Sequence, residues 1–132
     1  MFWDMRTGAP KKGIPGRSEA VGTLSSELFK LSISAEMEGY LDELEKKKAD
    51  LDPILLKTYE EAKKEFDQSK KIPAEEYRQF VVLSSQSESA WEEAKETADF
   101  EMFLPYLEKL VATTKKFIGD WGEKNDNACD TF

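Results

Sequence analysis

Apolar residues recur along this chain at steps of three and four, the spacing of helices with one buried face. The strongest stretch runs from Asp99 to Trp121, DFEMFLPYLEKLVATTKKFIGDW. Phe103, Leu104, Leu107, Leu110, Val111, Thr114, Phe117, Ile118 and Trp121 share one side there. Burying each large side chain on that side stabilises a fold by roughly 1.5–3 kcal/mol, so this stretch is expected at the centre of the core. Four weaker stripes precede it: Val21, Leu24, Leu28 and Leu31; then Met37, Tyr40, Leu41 and Leu44; then Leu55, Tyr59, Ala62 and Phe66; then Tyr77, Phe80, Val81, Ser84, Glu88 and Trp91. No stretch alternates with the period of a strand. The pattern predicts helices over about 14–32, 35–48, 53–71, 74–97 and 104–119. The fold class is all-α, a single helical domain over 1–132 of antiparallel helical hairpins without a sheet.

Start and stop signals divide the stripes. Residues 1–17 read as a loop, because three glycines and two prolines fall between Gly8 and Gly16; the first helix begins near Ile14 or Ser18. Ser34 is placed as an N-cap, and Asp52-Pro53 combines a capping side chain with proline at the first helical position. Asp99 caps the turn before Pro105, Gly119 and Gly122 end the last helix, and 123–132 form an irregular tail. Ser84-Ser85-Gln86-Ser87-Glu88-Ser89 is unusually polar for the middle of a helix. Its small residues are expected to admit a closely packed neighbour, with a solvent-filled cleft as the alternative.

Composition narrows the function classes. At 132 residues the chain suits one domain, and it carries a formal net charge of −8. Its basic pairs are scattered, which argues against nucleic acid, whose phosphates need a concentrated positive surface. No apolar run approaches the roughly 18 residues that cross a bilayer, and the start lacks the pattern of a signal peptide. No membrane partner is expected. A single cysteine, Cys129, closes no internal disulfide, consistent with a reducing cytoplasmic location.

Candidate chemistry is sparse. The chain has no histidine, so a His-Glu-x-x-His zinc motif, a Ser–His pair and a four-ligand Cys/His zinc site are all impossible here. Gly8 to Gly13 has two glycines four residues apart, but Ile14-Pro15 stand where a phosphate loop needs Lys and Ser or Thr. Pro10 and Pro15 also remove amide donors. Lys46-Lys47-Lys48 reads as a solvated helix terminus rather than an anion patch. Residues 125–130 faintly suggest a calcium loop but lack its central glycine and closing glutamate. No catalytic residue, metal ligand or cofactor is assigned to this chain.

Several segments nevertheless carry a resemblance. Trp3-Asp4-Met5-Arg6-Thr7-Gly8-Ala9-Pro10 resembles the Trp-Asp-x-x-Thr…Pro segment near the amino end of the carboxypeptidase Taq family of zinc metallocarboxypeptidases. The similarity continues, in order, through Arg17-Ser18-Glu19, Leu24-Ser25, 49–53, Ile72-Pro73, Ala90-Trp91-Glu92-Glu93-Ala94 and 99–107. In the tail, Asn127-Ala128-Cys129 stand where the family has an aromatic and aliphatics. The chain stops at Phe132, where the family continues with Glu-Pro-Gly, and it starts after a helix that members carry before Trp-Asp.

The resemblance implies an amino-terminal fragment of a larger, mainly helical, usually dimeric enzyme that removes C-terminal residues from peptides. Zinc and its His-Glu-x-x-His ligands would belong to the remainder, while this part forms a wall of the cleft. Peptide is then a substrate of the parent only, and the missing remainder is this chain's partner. Trp3, Asp4, Arg6 and Thr7 are candidate site residues. A loop pinned by an aromatic anchor is the favoured role, and an Arg6 fork facing a substrate carboxylate in the cleft is the alternative. Self-association is expected through uncovered apolar surfaces: Phe2, Trp3, part of the Phe117–Ile118–Trp121 face, Cys129 and Phe132. A stand-alone helical interaction module, or a structural remnant without activity, are the competing readings.

Overall fold

The structure, a computed structural model, describes Gly8 and residues 10–122. Five α-helices make up nearly all of it: α1 (Ile14–Ser32), α2 (Ala35–Lys46), α3 (Pro53–Ser69), α4 (Ala74–Thr97) and α5 (Phe100–Trp121). Short 3₁₀ turns at Lys11–Gly13 and Lys48–Asp50 precede α1 and follow α2. There is no strand among the described residues. The all-α expectation holds, with helix ends moved by a few residues. The largest move is at α5, which starts at Phe100 instead of 104. Asp99 accepts the Met102 amide at 3.3 Å, so Pro105, expected in the first turn, stands inside the helix, where it removes one i→i−4 hydrogen bond. The expected loop over 1–17 is also too long, because Pro15 sits in the first turn of α1 and its fixed φ suits that place.

Capping chemistry sets the remaining corners. Ser34 Oγ accepts the Met37 amide, and Asp52 Oδ1 accepts the amides of Ile54 and Leu55 at 2.9 and 3.1 Å. Between α4 and α5 the chain turns in two residues. Ala98 takes up a left-handed conformation (φ 55°) that is uncommon outside glycine, and its amide returns to the Ala94 carbonyl.

Packing joins α1, α4 and α5 into one layer, with α4 in the middle and α2–α3 as a lighter side hairpin. Neighbours run antiparallel: Lys11 meets Glu96 at one end of the α1–α4 pair, and the Phe29 and Tyr77 rings stack at the other, with centroids 4.2 Å apart. The expected centre was α5, yet Phe117 is its only fully buried residue and Val111 and Phe100 are exposed. The centre is α4, because its small side chains allow closer approach than large ones do. Ser85, Ser87, Ala90 and Ala94 are buried along it, and Ser18, Gly22 and Ser26 are buried along α1. Ser18 has no exposed surface, and its hydroxyl bonds that of Ser85 at 2.9 Å. The packed face of α1 is therefore not its leucine stripe. Leu24, Leu28 and Leu31 are 56%, 68% and 66% exposed.

Two apolar clusters lie beside this seam. Phe29, Ile72 and Phe117 form one, with Phe80 meeting Phe117 edge to face at 5.4 Å. Leu41, Tyr59 and Phe66 form the other, between α2 and α3. Ile33 touches both clusters and ties the hairpin to the layer. Phe117, expected among the uncovered apolar residues, is buried instead. Phe2, Trp3, Cys129 and Phe132 lie outside the described residues.

At Gly22 an added Cβ would run into the Val82 Cγ2 methyl and stand 3.4 Å from the Arg78 carbonyl oxygen. Gly22→Ala is predicted to destabilise the chain by about 1–3 kcal/mol in denaturant unfolding, although alanine favours a helix over glycine. Val82→Ala in the same molecule should recover part of that loss, giving a favourable coupling in the double-mutant cycle. A neutral or stabilising Gly22→Ala is incompatible with so tight a seam.

Candidate functional site

With the seam formed by small residues, the larger apolar stripes point elsewhere. Val21 and Leu24 of α1, Phe80, Val81 and Trp91 of α4, and Phe103 and Leu110 of α5 line one open groove of about 750 Å³. Its floor is α4 and its walls are α1 and α5. A second hollow of about 460 Å³ shares Ser25 and Phe80 with it and continues past Leu28 and Tyr77 to Thr114, Phe117 and Trp121. The serine run lies along this groove: Ser84, Ser85, Ser87 and Glu88 all line it, and Ser85 also bonds Ser18 of α1.

The groove contains little chemistry of its own. Ser25, Ser84 and Glu88 are its polar side chains apart from the seam serines. A nucleophilic serine needs a base oriented beside it, and the histidine that most often fills that role is absent from the sequence. Strongly perturbed ionisable groups, which often mark functional sites, lie away from the groove and each answers to an ordinary partner. Lys116 is raised by its bond to Glu76, at 2.6 Å. Glu61 is lowered by Lys57, which is raised in return. Tyr40 is raised by a bond to Glu36. Lys48 pairs with Glu60 at 3.8 Å, so the lysine run at the end of α2 is partly engaged in local contacts.

Trp3, Asp4, Arg6 and Thr7, the candidate site residues from the sequence, lie outside the described residues, as does the 125–130 segment. The structure brings together a different set, the stripe residues of α1, α4 and α5. Their helical spacing was visible in the sequence, but a stripe does not state whether it is covered.

A layer of antiparallel helices with one apolar groove and no catalytic constellation among the described residues defines a helical wall rather than a self-contained active centre. The chain belongs to the carboxypeptidase Taq (M32) metallopeptidase family, whose sequence model matches residues 1–132. It is 47% identical over 122 residues to carboxypeptidase 1 of Bacillus subtilis, covering 92% of this chain and 24% of that protein. It is 33% identical over 138 residues to thermostable carboxypeptidase 1 of Pyrococcus furiosus, covering 98% and 26%. A crystal structure described as BsuCP superposes with a TM-score of 0.85 at 46% identity, over 93% of this chain and 25% of that one. The chain spans about a quarter of the length of these relatives.

The chain has no histidine, and among the described residues no three His, Cys, Asp or Glu side chains converge. Among the described residues, no helix is long and apolar enough to cross a membrane.

One perturbed group has a measurable consequence for stability. The Tyr59 hydroxyl donates to Glu45 across the α2–α3 hairpin, and that bond, burial and the Glu45 charge push its pKa up to about 12. A pKa raised above the usual value of about 10 contributes stability that is complete below pH 10 and lost as pH climbs through about 12. Phenolate absorbance should accordingly show one tyrosine ionising near pH 12. Tyr59→Phe should remove that late step and leave a less pH-dependent hairpin in this range. An unchanged late step in Tyr59→Phe would assign it to another tyrosine.

Proposed function

We propose that this chain is the amino-terminal helical wall of a metallocarboxypeptidase that removes residues from the C-termini of peptides. The observation that carries this reading is the 47% identity to the Bacillus carboxypeptidase over 92% of the chain. In this reading the metal, zinc by the family resemblance, is held by the part of the enzyme beyond these residues. There it polarises the scissile carbonyl and lowers the pKa of a bound water. The wall limits access to the cleft, and Trp3, Asp4, Arg6 and Thr7 anchor a loop at its edge. The parent is a cytoplasmic homodimer, and at high concentration the isolated chain associates weakly through uncovered apolar surface.

The test is an exchange. The matched quarter of Bacillus subtilis carboxypeptidase 1 is replaced by this chain, and the hybrid is assayed for zinc-dependent release of C-terminal residues. The expected outcome is an active hybrid, with Arg6→Ala leaving KM unchanged and lowering thermal stability. The isolated chain should release nothing and bind no stoichiometric zinc, since three ligands would have to come from carboxylates and one thiol. A correctly folded hybrid that cleaves no peptide would overturn the proposal.

A further inference from the structure

Three apolar stripes that ordinarily bury themselves against one another converge here on an open groove. Helices α1 and α4 meet through Ser18, Gly22, Val82 and Ser85 instead, so the groove is not simply a loose joint between them. Leu28 and Leu24 stand on one wall, 68% and 56% exposed and one helical turn apart, and Leu31 extends their line. Thr114 and Leu110 stand on the opposite wall. An α-helix with its side chains is about 10–12 Å across, and a trough between two helices over a third is the seat such a helix takes in a bundle. A bound peptide is held through backbone hydrogen bonds and charged groups, and this trough is lined mainly by aliphatic and aromatic carbon with few polar groups.

We infer that the groove between α1 and α5 seats an apolar-faced helix from the remaining three-quarters of the parent enzyme, with Leu24 and Leu28 at the centre of that seam. This rests on the reading of the chain as part of a metallocarboxypeptidase. The choice of occupant follows from length: the relatives are about four times as long as the segment they share with this chain. The helix completes a four-helix arrangement around α4. The trough thus marks where the wall is fixed to the body of the enzyme, not a subsite for substrate.

Leu28→Lys and Leu24→Lys test this, because lysine matches leucine closely in helix propensity and is tolerated where the site is wet. In the 132-residue chain at micromolar concentration, either change should move the unfolding midpoint by no more than about 1 °C. In the active Bacillus hybrid the same changes should lower the midpoint by about 5 °C, from a buried, unpaired charge. The hybrid should keep its oligomeric state in sedimentation, and Leu55→Lys on the exposed side of α3 should be neutral in both. An active hybrid with an unmoved midpoint would leave the family reading standing and overturn the seam. A hybrid dimer split to monomers by Leu28→Lys would assign the groove to a second copy, again overturning it. A drop of similar size in the isolated chain would mean that its own residues already cover the leucines. An inactive unmutated hybrid would remove the premise itself.

Discussion

The fold rests on the close approach of α1 to α4. Two helices packed through large side chains stand about 8–10 Å apart, and a glycine opposite a valine draws the backbones together. Gly22 against Val82, with Ser18 bonded to Ser85, makes a contact in which small volume and satisfied hydroxyls matter more than apolar area. A buried hydroxyl without a partner costs about 1–3 kcal/mol, so the two serines suit each other better than either would suit an apolar neighbour. Glu19 and Arg78 reinforce the same pair from outside, 2.5 Å apart. Because the seam is made of small residues, every large residue of these helices has to find its place on one flank or the other.

Phe29, Ile72, Phe80 and Phe117 close the end of the layer near the α3–α4 corner, and Lys71 donates to the Trp121 carbonyl at 2.5 Å, where α5 ends. A cation at that position also meets the negative end of the helix dipole. The α2–α3 hairpin leans on this closed end through Ile33, and Lys70 pairs with Glu38 within the hairpin, 2.5 Å apart. The groove runs along the rest of α4. Its lining carries one ionisable side chain, Glu88.

Much of the backbone was legible in the residues. Ser34 and Asp52 announced helix starts through capping chemistry, whereas Asp99 was read as capping only a turn, and the stripe periods located all five helices. Which helix lies at the centre was not legible. Apolar content favoured α5, but burial is decided by which faces can approach, and serine and glycine do not register in a hydrophobic pattern. The same blindness made Leu24, Leu28 and Leu31 read as a core face, since periodicity reports amphipathicity and says nothing of what stands opposite. For the candidate site, the absence of histidine directed attention to shape. The polar run at 84–89 signalled both close packing and a cleft. The structure combines them: Ser85 bonds Ser18 across the seam, and Ser84, Ser85, Ser87 and Glu88 line the groove.

The two-residue corner at Ala98 acts at a distance. Helix α5 has 22 residues, a rod of about 33 Å at 1.5 Å per residue. A tilt of about 5° at the corner would displace its far end by about 3 Å, comparable to the thickness of a side chain. The left-handed alanine, restricted where glycine would swivel, limits that tilt from one end, and the Lys71–Trp121 bond limits it from the other. Held at both ends, the rod behaves as a beam rather than a lever. The trough beside it keeps a set gauge, and whatever lies there has to match the width it finds.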